Sequence, residues 1–209
     1  MLFETIVVGP LGVNCFILGD KHSNEGMVVD PGADCDMILA TVANFGVEIK
    51  YIVNTHGHFD HVGCNRRLKE RTGAQLLAHQ EDLPFLLNAG RSARKYGLSV
   101  EDSPPPDLFL TDGMRLELGR RSIEVLHTPG HTQGGCCLYL ANEKLVITGD
   151  TLFADSVGRT DLPGGNHSQL IAAIKTKLMP LPDDTVVWPG HGPSSTIGQE
   201  RRLNPYLNE

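Results

Sequence analysis

Apolar residues in the first part of the chain form short blocks separated by turn residues. Blocks rich in β-branched and apolar side chains are typical of strands when glycine, proline or charged residues lie between them. Such blocks occupy residues 3–8, 14–18, 26–29 and 49–53. Residues 34–45 show helical spacing instead, and Gly46 is the expected end of that helix. The chain therefore begins with strands and continues with an alternation of helix and strand.

The rest of the chain repeats this order. Residues 62–71 and 81–96 are predicted to be helical, with a strand at 75–78 between them. Three consecutive prolines in segment 103–106 exclude a regular element there, and we interpret it as an internal seam rather than a linker. Further strands are predicted at 115–118, 122–126, 136–140, 144–147 and 185–188, and further helices at 168–178 and 197–203. Two sheets that face each other with helices outside, a layered α/β fold, explain this pattern.

Composition and charge narrow the class of protein. A chain of 209 residues, 40% of them hydrophobic, can form one domain with a sizeable core, so we expect a single domain over 1–209. The net charge of −7 argues against a nucleic-acid partner. No apolar run approaches the roughly 20 residues that span a bilayer, and Glu4 stands where an export signal carries positive charge. We expect a cytoplasmic protein without a membrane partner.

The five cysteines show no C-x-x-C spacing and are odd in number. They are Cys15, Cys35, Cys64, Cys136 and Cys137. We expect buried, unpaired thiols, as in proteins of a reducing compartment. Cys64 is expected to pack at the start of a helix rather than to bind metal.

The densest chemical signal follows the strand predicted at 49–53. His56, His58, Asp60 and His61 lie within six residues. On an extended chain residues i and i+2 point the same way, so His56 and His58 can bind one ion together. Asp60 and His61 fall where the chain turns toward a helix and can face a second ion. This cluster predicts a metal-dependent enzyme.

Three later loops hold further candidate ligands, each directly after a predicted strand. They carry His131 in segment 128–132, Asp150 in segment 148–151 and His191 in segment 189–193. Proline and glycine around a single histidine indicate that backbone shape aims this side chain at a fixed point. Functional residues of α/β proteins often lie on loops of this kind.

These motifs resemble those of the metallo-β-lactamase fold superfamily over nearly the whole chain. The matching segments are 55–61, 128–132, 149–151 and 189–192, and Asp30-Pro31-Gly32 also fits. The resemblance implies a four-layer αββα sandwich. Segments 149–153 and 157–165 further resemble the short bacterial members of the glyoxalase II group, the hydroxyacylglutathione hydrolases.

By position, the resemblance implies seven ligands for two divalent metal ions. His56, His58 and His131 would bind the first ion, Asp60, His61 and His191 the second, and Asp150 would bridge both. Zinc is the expected metal. Iron and manganese are alternatives, because nitrogen and oxygen donors do not select among the three.

Two features depart from the longer glyoxalase II enzymes. Those enzymes append a helical domain that contributes much of the glutathione site, whereas this chain ends at residue 209, shortly after His191. Arg159, Thr160 and Asp161 stand where those enzymes carry a tyrosine-bearing loop. We therefore expect the helical domain to be missing, and Arg159 is a candidate to bind an anionic group of the substrate.

The implied ligand set predicts hydrolysis. Two ions roughly 3.5–4 Å apart can share a bridging hydroxide, which would attack a thioester carbonyl. Asp60 is also a candidate catalytic residue, since it can accept a hydrogen bond from that hydroxide. We predict a thioester hydrolase of the glyoxalase II type, with an S-acyl glutathione such as S-lactoylglutathione as its small-molecule substrate.

Other functions stay open. A persulfide dioxygenase resembles this sequence around residues 158–161 and works with a single iron at a three-histidine-type site. A hydrolase of another small thioester or ester would use the same ligands. A non-catalytic binding domain is disfavoured by the full ligand set. A secreted β-lactamase is disfavoured by the expected lack of an export signal and by Asp150, which stands where many of those enzymes have a thiolate.

Overall fold

The computed structural model describes residues 1–208. Fourteen strands occur in this range, and most of them form two six-stranded sheets. In chain order they are β1 Leu2–Val8, β2 Val13–Asp20, β3 Glu25–Val29, β4 Glu48–Val53, β5 Gln75–His79, β6 Leu108–Leu110, β7 Arg115–Leu118, β8 Arg121–His127, β9 Cys136–Leu140, β10 Leu145–Gly149, β11 Leu152–Phe153, β12 Ser156–Val157, β13 Val186–Pro189 and β14 Ser195–Thr196. The first sheet has the order β1 to β6, and the second has the order β14-β13-β10-β9-β8-β7.

Seven α-helices connect or follow these strands. They are α1 Cys35–Phe45, α2 Phe59–Val62, α3 Asn65–Thr72, α4 Leu83–Leu86, α5 Ala89–Arg94, α6 His167–Ala173 and α7 Ile197–Leu203, with a 3-10 turn at Gln80–Asp82 and a π-helical turn at Ile174–Leu178. As predicted, α1 ends at Gly46, which takes a left-handed conformation with φ of 65° and caps the carbonyl of Ala43.

Alternating side chains divide the core into layers. Phe16 and Leu18 of β2 belong to the core between the two sheets, whereas Ile17 packs in the outer core that also contains Ile38 of α1. The second sheet follows the same period of two, and its outer face carries α6 and α7. The predicted four-layer αββα sandwich is therefore confirmed.

Strand direction explains why the candidate ligands meet. Strands β3 to β6 run parallel to one another. In the second sheet, β8 and β10 are both antiparallel to β9, and β13 is parallel to β10, so these three strands run the same way. An isolated bridge between Val13 and His191 joins the two sheets at the ends of these strands. The loops that follow β4, β8, β10 and β13 therefore open at one edge of the sandwich.

Some predicted elements differ from the structure. The helix expected at 81–96 is broken into the 3-10 turn, α4 and α5, and segment 98–103 packs on it, with the amide of Ser103 donating to the carbonyl of Leu86. A Cβ atom at Gly90 would lie 2.6 Å from the carbonyl oxygen of Val100. The prolines of segment 103–106 precede β6, which still belongs to the first sheet. The short strands β6, β11, β12 and β14 were not predicted, because two or three residues carry no periodic signal.

The expectation of unpaired thiols is wrong for two cysteines. Cys35 and Cys64 form a disulfide, with their Cα atoms 5.6 Å apart. The pairing arises because the loop before α1 packs beside the start of α3, where the amide of Cys64 donates to the carbonyl of Pro31. Cys15, Cys136 and Cys137 are buried free thiols, as expected. None of the helices in residues 1–208 has the length and apolar character needed to cross a membrane.

Candidate metal centre

The structure brings all seven predicted ligand side chains together at one edge of the sandwich. His56, His58 and His131 form one group, which we call the first half-site, and Asp60, His61 and His191 form the second half-site. Within each group one donor atom per residue lies within 4.8 Å of the others. The sequence positions of these residues span most of the chain, so only the fold can assemble them.

The first half-site consists of three imidazoles. Nδ1 of His58 lies 2.9 Å from Nε2 of His131. His56 is buried, and its Nε2 has no hydrogen-bond partner among the described residues. A buried nitrogen without a hydrogen-bond partner costs folding free energy unless another group interacts with it. A bound metal ion would accept the lone pair of this nitrogen.

The second half-site combines two imidazoles with a carboxylate. Nε2 of His61 lies 3.3 Å from Nε2 of His191. Oδ2 of Asp60 lies 3.7 Å from the first of these nitrogens and 3.5 Å from the second. The side chain of His191 is 28% exposed, whereas those of His56 and His131 are 2% and 5% exposed. The second half-site is therefore open to solvent at His191.

Asp150 lies between the two half-sites. Its Oδ2 is 3.5 Å from Nε2 of His131 and 3.7 Å from Nε2 of His191, and its Oδ1 is 3.6 Å from Nε2 of His61. Oδ1 is buried without a hydrogen-bond partner in the described part of the chain. A carboxylate in this position can bind one ion with each oxygen, which is the bridging geometry that the sequence resemblance implies.

A glycine allows Asp150 to approach so closely. Gly149 has φ of 49°, a left-handed conformation that favours glycine. A Cβ atom on Gly149 would lie 2.2 Å from Oγ1 of Thr55, the residue before His56. The absence of a side chain thus lets the end of β10 pack directly against the end of β4.

Hydrogen bonds behind the rings fix the orientation of the imidazoles. Nδ1 of His131 donates to the carbonyl of Arg159 at 2.8 Å, and Nδ1 of His191 donates to the carbonyl of Leu11 at 3.1 Å. Nδ1 of His61 lies 3.0 Å from Oδ2 of Asp30. Such contacts leave Nε2 of each ring free to face the centre, and they are the usual support of metal-binding histidines.

The half-sites differ in their electrostatics. Burial, together with nearby His131, lowers the pKa of His58 to about 3. Burial also lowers the pKa of His61, but Asp150, Asp60 and Asp30 outweigh this effect and raise it to about 10. In the first half-site burial therefore favours the neutral form of His56 and His58, whereas the carboxylates of the second half-site favour positive charge on His61 and His191.

The residues present fit divalent metal ions. The donors are imidazole nitrogens and carboxylate oxygens, and two of the innermost atoms lack protein partners. Neutral imidazole is the form that binds metal, and an excess of carboxylate attracts a cation. The arrangement can hold two ions close together, as in two-metal hydrolytic sites.

The sequence interpretation assigned no role to two supporting residues, although it named Asp30 as part of a matching segment. Asp30 follows β3, is fully buried, and accepts hydrogen bonds from the amide and hydroxyl of Thr55 as well as facing His61. Its position directly after a buried strand was the available signal. Asp82 is also fully buried, but it lies in a segment that resembles a helix, and no sequence signal marks it.

Two other predicted residues lie outside the ligand groups. The Arg159 side chain is exposed and forms a bidentate ion pair with Asp161, with both distances 2.8 Å. Cys64 is bonded to Cys35, so its thiol is not a ligand.

The amino-acid sequence is similar to known proteins over its whole length. The family model described as "Metallo-beta-lactamase superfamily" matches residues 8–191. An uncharacterized protein of Aquifex aeolicus is 42% identical over 100% of this chain and 98% of its own length. The hydroxyacylglutathione hydrolase GloC of Haemophilus influenzae is 38% identical over 100% of this chain and 99% of its own length.

Solved structures agree with this match. The B3 metallo-beta-lactamase BLEG-1 superposes with a TM-score of 0.92 at 35% identity, and each chain is covered completely. TTHA1623, solved in a di-iron-bound form, gives a TM-score of 0.90 at 39% identity over 98% of this chain and 100% of its own. ETHE1 from Myxococcus xanthus gives 0.83 at 28% identity over 100% of this chain and 86% of its own. The chain belongs to the metallo-beta-lactamase superfamily of metal-binding hydrolases.

Proposed function

We propose that this protein is a metal-dependent thioester hydrolase of the glyoxalase II type, acting on an S-acyl glutathione. The observation that carries the proposal is the position of Asp150 between two complete half-sites, within 4 Å of nitrogens in both. The relative from Haemophilus influenzae, named a hydroxyacylglutathione hydrolase, supports the choice of substrate.

Residues of both half-sites would hold the metal ions. Bound divalent ions supply hydroxide at neutral pH and polarise a carbonyl oxygen. Zinc is our proposal for the metal, and the di-iron form of TTHA1623 makes iron the first alternative. A thiolate leaves a thioester readily, because its pKa is near 8.5, so the protein needs no strong acid at the leaving sulfur.

Asp60 is proposed to orient the attacking water. Burial raises the pKa of this carboxyl, but His61 and His191 outweigh that effect and lower it below its ordinary value. The side chain is therefore an ionised hydrogen-bond acceptor beside the second half-site. Asp60→Asn is expected to reduce kcat more than KM while both metal equivalents are retained; unchanged turnover with both metals bound would contradict this role.

An apolar cleft beside the second half-site can accept the acyl group. Asp60 forms part of its wall. The apolar lining residues are Val8, Leu11, Val13, Phe59, Leu98 and Val100. Each buried methylene contributes about 0.8 kcal/mol, so kcat/KM is expected to rise about fourfold per acyl carbon until the cleft is filled. A flat series of straight-chain acyl glutathiones would exclude the cleft as the acyl site.

The decisive experiment combines metal analysis with two assays on the purified protein. We expect two metal equivalents per chain and hydrolysis of S-lactoylglutathione, with both lost in Asp150→Ala. Acetyl coenzyme A and a cephalosporin serve as thioester and lactam comparisons. Two bound metals with turnover of only one of these comparisons would move the assignment to that substrate class.

A persulfide dioxygenase is the second candidate. The observation that favours it is the self-contained first half-site, in which three imidazoles can hold a single ion without the second group. Segment 158–161, on which the sequence resemblance rests, lies against this half-site, because the carbonyl of Arg159 accepts from His131. One iron per chain with oxygen uptake on glutathione persulfide, and no thioester hydrolysis, would replace the first proposal with this one.

A further inference from the structure

The carboxylate of Asp82 connects the two loops that form the first half-site. Asp82 ends the 3-10 turn after β5 and is fully buried. Its Oδ2 accepts from the amide of Gly57 at 2.8 Å and from the hydroxyl of Thr132 at 2.7 Å. Its Oδ1 accepts from the amide of Gly134 at 2.7 Å. One side chain outside both loops thus satisfies three buried donors.

These donors adjoin all three histidines of the first half-site. Gly57 lies between His56 and His58, and Thr132 follows His131 directly. A second link, from the amide of Cys136 to the carbonyl of Thr55 at 2.8 Å, joins the loops where they leave their strands. The Asp82 carboxylate therefore sets the separation of the loops at the level of the ligands themselves.

The packing around Asp82 leaves little freedom for the loops to move. A Cβ atom at Gly57 would lie 2.9 Å from the carbonyl oxygen of Asp82, and one at Gly134 would lie 2.6 Å from its Cγ. Both loops therefore rest directly on this residue. An ionised carboxylate only accepts hydrogen bonds, so it can serve three donors at once, whereas an amide would turn an N–H group toward another donor.

We propose that Asp82 is a positioning residue that holds His56, His58 and His131 at the spacing required to bind a metal ion. It contacts no ligand atom and acts through the backbone of the two loops. The inference concerns metal binding alone and stays valid whichever substrate the protein hydrolyses. Asp30 has the corresponding place behind the second half-site, where it contacts His61 directly.

Two background variants, each with only one complete half-site, allow the effect of Asp82 on each half-site to be measured separately. In a His191→Ala background only the first half-site is complete, and in a His131→Ala background only the second is. Asp82→Asn and Thr132→Val are introduced into each, and cobalt affinity is measured by chelator competition together with the visible spectrum of the bound ion. Thr132→Ser restores the hydroxyl and is the rescue variant. Glu81→Gln removes the neighbouring exposed carboxylate and is the matched control.

Affinity in the first background is expected to fall about tenfold to a hundredfold with Asp82→Asn and by less with Thr132→Val, with an altered cobalt spectrum. Thr132→Ser and Glu81→Gln are expected to bind as the parent does, and no variant is expected to weaken the second background. Equal losses in both backgrounds, or parental affinity and spectrum in Thr132→Val, would overturn the proposal. If Asp82→Asn does not fold without metal, Thr132→Val and Thr132→Ser decide the matter.

Discussion

The two half-sites lie side by side but attract a cation by different means. The first contains only imidazoles, among which burial favours the neutral form of His56 and His58, and the side chains of His56 and His131 are almost inaccessible to solvent. The second includes Asp60 and has Asp30 behind His61, so its histidines favour the protonated form. Asp150 belongs to both. The first half-site is therefore a preformed set of neutral donors, and the second is a negatively charged pocket.

This difference shows how the short segment 56–61 can contribute ligands to two ions. His58 and His61 are three residues apart, yet the pKa of one is lowered to about 3 and that of the other is raised to about 10. The carboxylates around each ring, rather than its position in the motif, cause the divergence. At neutral pH a metal ion displaces no proton from His58, whereas at His61 it competes with one.

Asp150→Asn should reduce activity more than any other change, because it removes the one charge that both half-sites share. The ions can no longer be bridged, and several kcal/mol of transition-state stabilisation is lost, so kcat/KM is expected to fall roughly 10³-fold. Metal analysis on the same sample should show fewer than two equivalents. Retention of two equivalents with activity within a few-fold of the parent would show that the half-sites work independently.

Asp30→Asn should weaken the second half-site selectively. The variant keeps the size of the side chain but removes the charge that faces Nδ1 of His61 and accepts from Thr55. A supporting contact of this kind is worth about tenfold to a hundredfold in metal affinity. The second half-site is expected to bind metal more weakly than the first, because binding must displace the proton of His61. Calorimetric titration should therefore show the weaker class of sites losing affinity while the tighter class is unchanged. Loss of the tighter class instead would mean that Thr55, adjacent to His56, transmits the effect to the first half-site.

The metal affinity of the second half-site should depend on pH through His61. His61 has its pKa raised from 6.5 to about 10 in the metal-free fold, so binding there displaces a proton, and affinity should fall up to about tenfold per unit as pH decreases from 10 toward 6.5. The pKa of His58 is lowered to about 3, so this ligand of the first half-site should release no proton on metal binding between about pH 5 and 8. Titrations in buffers of different ionisation enthalpy would count the released protons.

The raised pKa of His61 also makes the stability of the metal-free protein depend on pH. Because the folded state holds a proton on His61 more tightly than the unfolded chain does, this group stabilises the fold below pH 6.5. The contribution is lost as pH rises toward 10. A free energy of unfolding that shows no decline in this range in the metal-free protein, beyond that of a His61→Gln variant, would contradict the assignment of this proton.

The longer strands and the candidate ligand loops could be predicted from local signals, whereas the four-layer arrangement and the division of the ligands between two half-sites followed from the resemblance to a known superfamily. Alternating blocks identified the longer strands, and each of His56, His131, Asp150 and His191 follows such a strand, so parallel strand direction was enough to bring them together. The spacing of His56 and His58 is likewise a local property of an extended chain. That these residues bind metal, and that the chain is one domain, stays a prediction.

What could not be predicted depends on contacts between distant segments. Asp82 lies in a segment with helical spacing, and its function in the structure comes from donors 25 and 50 residues away. Cys35 and Cys64 lie in separate elements, and their pairing follows from the packing of a loop on the start of α3. Long-range hydrogen bonds and disulfides leave no periodic trace in a sequence, so a three-dimensional structure is needed to find them.

Substitution of Arg159 should change KM only slightly, because the backbone and the side chain of this residue make different contacts. Its carbonyl orients His131 in the first half-site, whereas its guanidinium is exposed and paired with Asp161. Arg159→Ala keeps the carbonyl, so metal content should stay at the parental level, and the loss of an exposed charge is worth about 0.2–1 kcal/mol, a few-fold at most. If the guanidinium meets an anionic carrier, KM for S-lactoylglutathione should rise by that factor while kcat is unchanged. Asp161→Asn frees the guanidinium without removing it and should lower KM or leave it constant. A rise in KM with Asp161→Asn equal to that with Arg159→Ala would show that the ion pair supports the loop, and that the side chain of Arg159 does not bind substrate.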